Sequence, residues 1–301
     1  MKRENIIKRW VKKFCALQIS SKIILSIMFV FFTIEVFIHL YPMLWALNNS
    51  LKTGGEFTAS ADGASALTKT WRFFNYVEVF DLFQVKGTIG YWEMLLNSIW
   101  QCLGYIVINL CSSTMVAYVL AKYNFPGKGL LYGLMIFTQT IPIVGSGVAN
   151  FKLLSALGMV NNPATFWICW AMGFDYSAFV MYGTFQSVSN SYKESAELDG
   201  ASNVQILWYI MLPQIIPCVL ALAVTTFVGQ WNDYSTAQIY LNNYPNLAYG
   251  LFIFDKKMLH TANGEGIYYA ALIIGALPGV LIYAFSQNAV IKNVSVGGLK
   301  G

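Results

Sequence analysis

A chain of 301 residues with 56% apolar and only 11% charged side chains falls outside the soluble class, where roughly a quarter of residues are charged, and inside the membrane class. Its net charge of +5 gathers at the amino terminus and forms no stripe interleaved with aromatics, which excludes a nucleic-acid surface. No stretch between the apolar runs exceeds about 50 residues, so no clear separate soluble domain is expected.

The predicted fold is all-α and integral to a membrane. A crossing helix needs about 20 apolar residues, and six stretches qualify: 23–46, 97–121, 130–150, 163–187, 210–231 and 267–289. Ahead of the first, residues 1–22 hold seven Lys or Arg against one acid, so this segment stays in the cytoplasm. The first stretch is too long for a signal-peptide core and lacks a small-residue cleavage pattern, so it is expected to remain. The connection "AKYNFPGKG", with Lys122 and Lys128, then lies inside, and six crossings return Lys292 and Lys300 to the same side.

Glu35 falls near the middle of the first span and Asp175 near the middle of the fourth. A carboxylate at that depth costs about 2.5–3.5 kcal/mol, which directs each toward the bundle interior, a partner or water. Asp175 serves either a solute path or a structural hydrogen bond. Gln139, in the third span with Thr138, Thr140, Pro142, Gly145 and Gly147, and Asn232 and Asp233, after the fifth, are further polar candidates for a path. Their competing role is to satisfy backbone freed by nearby breaks. Cys15, Cys102, Cys111, Cys169 and Cys218 show no metal-ligand spacing and read as small buried hydrophobes. His39 and His260 lie far apart without ligand clusters, and Tyr41, Trp45, Trp92, Trp167 and Trp231 read as interface anchors or packing groups.

The segment 191–213, "SYKESAELDGASNVQILWYIMLP", follows four crossings and therefore faces the cytoplasm. Ser191 with Glu194, and Ser202 with Gln205, each have capping-box spacing. They predict a short helix, a turn at Gly200 and a longer helix running to Pro213. Glu194 and Glu197 lie one turn apart on the short helix, Ala196 and Leu198 give it apolar surface, and Gly200 supplies a positive φ or a close backbone approach beside Ala201. An isolated helix of about two turns is marginal, so it must pack on something. On these features the segment is either a mechanical handle or an ordinary interfacial loop.

Glu194, Ser195, Ala196 and Gly200, within "AELDGAS" and before "IMLP" and "LPQIIP", resemble the EAA loop of permease subunits of bacterial ABC importers. Along nearly the whole chain, "YPMLWALNNSLKTGGEF", Asn97 and Ser98 with "YVLAKYNFPGKG", Trp231 and Asn232, "NLAYGLF" and "VSVGGLKG" resemble MalG-like carbohydrate permeases. Departures are a serine at 195, where the family has alanine, and a longer connection after the first span. The resemblance implies a type I ABC importer permease fold of six transmembrane helices, over 23–301, in the bacterial inner membrane. It also implies a cytoplasmic coupling helix whose contacts with an ATPase involve Glu194, Ser195, Ala196, Glu197, Asp199, Gly200, Ala201 and Pro213. Implied partners are a second, MalF-like permease, a cytoplasmic ABC ATPase dimer, an extracytoplasmic solute-binding protein and a sugar or oligosaccharide cargo.

No GxxxxGK[ST] sequence occurs in the chain. It is therefore expected to be no enzyme and to bind no cofactor itself, with ATP and Mg held by the ATPase subunits. An ABC permease for another small polar solute is the main alternative. A secondary transporter fits less well without a duplicated half, and a channel lacks a repeated filter or acidic ring.

Overall fold

The computed structural model describes residues 17–59, 62–141, 145–163, 167, 173–258, 261 and 264–297, with side chains as far as Phe285. Residues 1–16, Cys15, Pro142, Cys169, His260, Lys300 and the Lys292 side chain lie outside the described set. Among the described residues there are helices and no strands, apart from one isolated bridge between Val85 and Ile89.

The helices are α1 (Ile19–Ser50), α2 (Gly54–Thr58), α3 (Phe74–Leu82), α4 (Tyr91–Lys122), α5 (Lys128–Thr140), α6 (Gly147–Ala156), α7 (Tyr176–Ser187) and α8 (Ser191–Leu198). They continue with α9 (Asn203–Trp231), α10 (Ser235–Tyr240), α11 (Leu247–Met258) and α12 (Gly264–Gly297). Among the described residues, α1, α4, α9 and the Gly264–Phe285 part of α12 are long and apolar enough to cross a membrane. They match the first, second, fifth and sixth predicted spans. Within the third predicted span lies α5 and within the fourth α7, of 13 and 12 residues, each about 20 Å or less at 1.5 Å per residue and by itself too short to cross. Residues 142–144, 164–166 and 168–172, which belong to those two stretches, lie outside the described set.

α4 is the centre of the bundle, packing on α7, α9 and α11, while α12 packs on α1, α3, α9 and α11. In α4's most apolar window 39% of residues are buried, against 0% in α1, which makes α1 peripheral. One face of α4 stays uncovered: Trp92, Leu96, Ile99, Leu103 and Val107 are all exposed, at the spacing of a single apolar stripe. α4 stops where Tyr123 turns extended ahead of Pro126, and Gly127, with φ +87, redirects the chain into α5.

Of four apolar clusters among the described residues, the two largest hold the bundle. At the end bearing α3 and α11, Val79, Phe83, Met94, Leu247, Phe254 and Ile267 pack together. At the opposite end Tyr118, Met181, Phe185, Ile206, Met211 and Ile215 do so around α8. Between α9 and α12, Trp231 lies against Gly279, where a methyl group would come within 3.0 Å of the indole Nε1. The same Nε1 donates to the Gly275 carbonyl at 3.4 Å.

Candidate functional site

The segment between α7 and α9 is built as a rigid bracket. Ala196 is 5% exposed and packs in the cluster with Tyr118, Phe185, Ile206 and Met211, seating α8 on α9 and the end of α4. The amide of Gly200 donates to the Glu197 carbonyl at 3.1 Å and that of Ala201 to the Ala196 carbonyl at 3.0 Å. This pair of bonds is a Schellman ending, and Gly200 occupies its left-handed position with φ +80. Of the two uses anticipated for Gly200, the positive φ is the one observed: a Cβ there would meet nothing within 4 Å.

The predicted Ser202–Gln205 capping box is present, with the Ser202 amide donating to Gln205 Oε1 at 2.8 Å and the Gln205 amide to Ser202 Oγ at 3.4 Å. The predicted Ser191–Glu194 box is not. Asn190 occupies the cap position without a side-chain bond to the helix amides, Ser191 is already helical, and the Ser191 hydroxyl pairs with Ser189 Oγ at 2.8 Å. A neighbouring hydroxyl competes successfully for the group that capping would have used.

Lys193 lies 3.2 Å from Glu197 and 4.2 Å from the centre of the Tyr123 ring, and the Tyr123 hydroxyl donates to Asn203 Oδ1 at 2.8 Å. Lys122 Nζ donates to the Val188 carbonyl and to Asn190 Oδ1. The end of α4 is thus bonded to both sides of the bracket. Turned away from the bundle are Tyr192, Glu194, Ser195, Leu198 and Asp199, all exposed, with Leu198 at 89%. The expected interruption at Pro213 takes the form of a π-helical turn, Ile206–Met211, in which the Leu212 amide reaches back five residues to the Leu207 carbonyl. This wider turn precedes Pro213, which has no N–H to offer the α ladder.

The four candidate path residues stand apart. Asp175 begins α7 as its N-cap instead of sitting mid-helix, because Gly173, with φ +63, and the extended Asp175 backbone break the helix there. Its carboxylate accepts the Ala178 amide (3.0 Å), the Ser113 hydroxyl (2.7 Å) and the Asn109 amide (2.8 Å). Gln139 is exposed at the end of α5, with Nε2 3.4 Å from the Phe174 carbonyl. Asp233 Oδ1 accepts Ser235 N, Ser235 Oγ and Thr236 N at 2.7–3.1 Å, satisfying the first two amides of α10 from one residue ahead of its N-cap Tyr234. Asn232 ends α9 and lines a cavity of about 380 Å³ with Trp231, Leu251, Ala276 and Tyr283; the other three do not line it.

One of these residues, Asp175, is held by a polar row on α4 that the candidate residues omitted. Asn97 and Gln101 donate to the Pro245 and Tyr244 carbonyls at 3.0 and 2.8 Å, and Asn109 and Ser113 hold Asp175. Tyr105 falls between these two pairs along α4. Polar residues every four positions from 97 to 113 inside an apolar run were the available signal.

Residues 113–296 match the family described as binding-protein-dependent transport system inner membrane component. The chain is 29% identical to the diacetylchitobiose uptake system permease protein NgcG of Streptomyces coelicolor, over 85% of this chain and 82% of that one. It is 27% identical to the maltose/maltodextrin transport system permease protein MalG of Salmonella typhimurium, over 87% and 91%. In fold it is similar to a chain in the crystal structure of a bacterial ABC transporter involved in the import of the acidic polysaccharide alginate. That match has a TM-score of 0.74 at 22% identity and covers 90% of this chain and 98% of the other.

Proposed function

Because this chain belongs to the family of binding-protein-dependent transport system inner membrane components, we propose that it is one permease subunit of an ATP-driven importer, forming part of the pathway for a sugar or oligosaccharide. The cargo class rests on relatives named for diacetylchitobiose and for maltose and maltodextrin. Six crossings place both termini and α8 in the cytoplasm, as the basic amino-terminal segment favours. An extracytoplasmic binding protein delivers the cargo, and an ABC ATPase dimer binds ATP and Mg.

The observation that carries this reading is the outward face of α8. Tyr192, Glu194, Ser195, Leu198 and Asp199 are exposed, while Ala196, Ala201 and the Schellman ending join the same helix stiffly to α9. A helix exposed on one side and locked to a crossing helix on the other can convert a push from an ATPase into tilt of α9. Pro213 and the π turn sit where that motion enters the membrane.

A second permease is supported by α1. None of its most apolar window is buried, yet it carries Glu35 with His39 Nδ1 3.5 Å from the carboxylate. Lipid is a poor neighbour for that pair, whereas a facing helix with a hydrogen-bonding group is a good one. The reading is tested by Leu198→Cys in the assembled transporter. We expect a cytoplasmic thiol reagent to modify it slowly with the ATPase in place and fast once the ATPase is stripped away. Equal rates in both states would remove α8 from the ATPase interface.

A further inference from the structure

α3 is apolar on two sides, and the bundle accounts for one. Asn75 and Val79 face inward and are fully buried, as is Phe83 just beyond the helix. On the opposite side Phe73 (65% exposed), Phe74, Val77 and Phe80 are uncovered, flanked by exposed Trp71 and Trp92. We propose that α3 lies flat in the bilayer interface at this end of the bundle, with Phe73, Val77 and Phe80 reaching the acyl chains of phospholipid.

Both ends of α3 fix its depth. At its start Asn75 Nδ2 donates to the Ser50 and Lys52 carbonyls at 2.8 and 2.9 Å, and the Tyr76 hydroxyl pairs with Ser50 Oγ at 2.7 Å. Ser50 is the last residue of α1 and Lys52 the second beyond it. At its other end Phe80 stacks on Trp92 at 6.0 Å, and Trp92 heads the uncovered stripe of α4. The helix therefore runs from the end of one long apolar helix to the start of another, at the level where those two helices end, and its open face continues the uncovered stripe of α4.

The chemistry suits that depth. Trp side chains concentrate at the headgroup boundary, where Trp71 and Trp92 flank this face, and an amphipathic helix lying in the interface turns its charged groups away from the acyl chains. On α3 those groups are Glu78 and Asp81, with Arg72 paired to Glu78 at 2.9 Å. That this is the outer leaflet rests on the proposed orientation, which the Leu198→Cys labelling probes separately.

The test places p-benzoylphenylalanine at position 73, 80 or, as a buried reference, 83 of the assembled transporter in vesicles of phosphatidylethanolamine and phosphatidylglycerol. After irradiation, peptide masses should show phospholipid adducts at 73 and 80 in at least about tenfold excess over 83, unchanged by added binding protein. At 83 the expected partner is α11, since Phe83 lies 5.1 Å from Phe254. Adducts at 73 and 80 to another protein chain, or lipid adducts no more abundant than at 83, would overturn the proposal. The outcome needs no cargo and no ATP turnover, so it stands or falls apart from the transport assignment.

Discussion

Gly200 shows how a single residue sets the geometry of the bracket. With φ +80 and open space around its missing side chain, substitution costs backbone conformation alone within this chain, about 1–2 kcal/mol for an ordinary residue in the left-handed region. Gly200→Val should therefore weaken ATPase association, and Gly200→Asn, which tolerates that region better, should retain more of it in a pull-down. Equal losses would show that bulk against the partner, and not backbone strain, governs the position. Asp175 makes the opposite case, since three protein donors already occupy its carboxylate. Asp175→Ala should lower thermal stability by about 2 kcal/mol, from the lost cap and the orphaned Asn109 and Ser113. Uptake should fall in proportion to transporter abundance, and Asp175→Asn should be milder. Normal stability with failed uptake per molecule would instead place Asp175 on the solute path. The sequence left both roles open because a mid-span acid and a helix cap look alike until the break at Gly173 is seen.

At the scale of elements, α8 owes its position to one small side chain. Ala196→Leu adds bulk to a site with 5% exposure, and overpacking of that kind costs about 1–3 kcal/mol. Limited proteolysis of the purified transporter should then cut the 188–202 segment faster while the crossing helices stay intact; unchanged cleavage would mean that α8 is not held by this seat. At the opposite end, Glu56 clamps the chain before α3 by accepting the Lys69 and Thr70 amides at 3.0 and 3.2 Å and the Thr70 hydroxyl. Burial pushes its carboxyl up, but these bonds outweigh it and hold the group below its ordinary value of 4.5. A lowered folded value means the clamp contributes stability above the unfolded value and loses it as pH falls through the folded one. Hydrogen exchange at 69 and 70, corrected for intrinsic chemistry, should lose protection in that acid range, and Glu56→Gln should lack the transition. A transition that persists in Glu56→Gln belongs to another group.

For the whole molecule, four of the six predicted spans correspond to long apolar helices among the described residues, and the cap spacing and Gly200 located the α8 bracket along the chain. The Ser202–Gln205 cap and the positive φ of Gly200 followed from residue type. Three features were not legible: the absent Ser191 box, because Ser189 and Ser191 compete locally; the π turn, because Ile206–Met211 has the same apolar composition as an α turn; and the joining of Asp175 to Asn109 and Ser113, because that contact spans more than 60 positions. The central claim is that residues 191–213 carry ATPase work into the membrane bundle. Its most direct test is the ratio of cargo moved to ATP hydrolysed in proteoliposomes holding the full transporter with Gly200→Val or Glu194→Lys. We predict normal insertion of both variants, with ATPase lost from the complex or ATP turned over with little uptake. Insertion, ATPase retention and transport at parental rates in both variants would contradict the account.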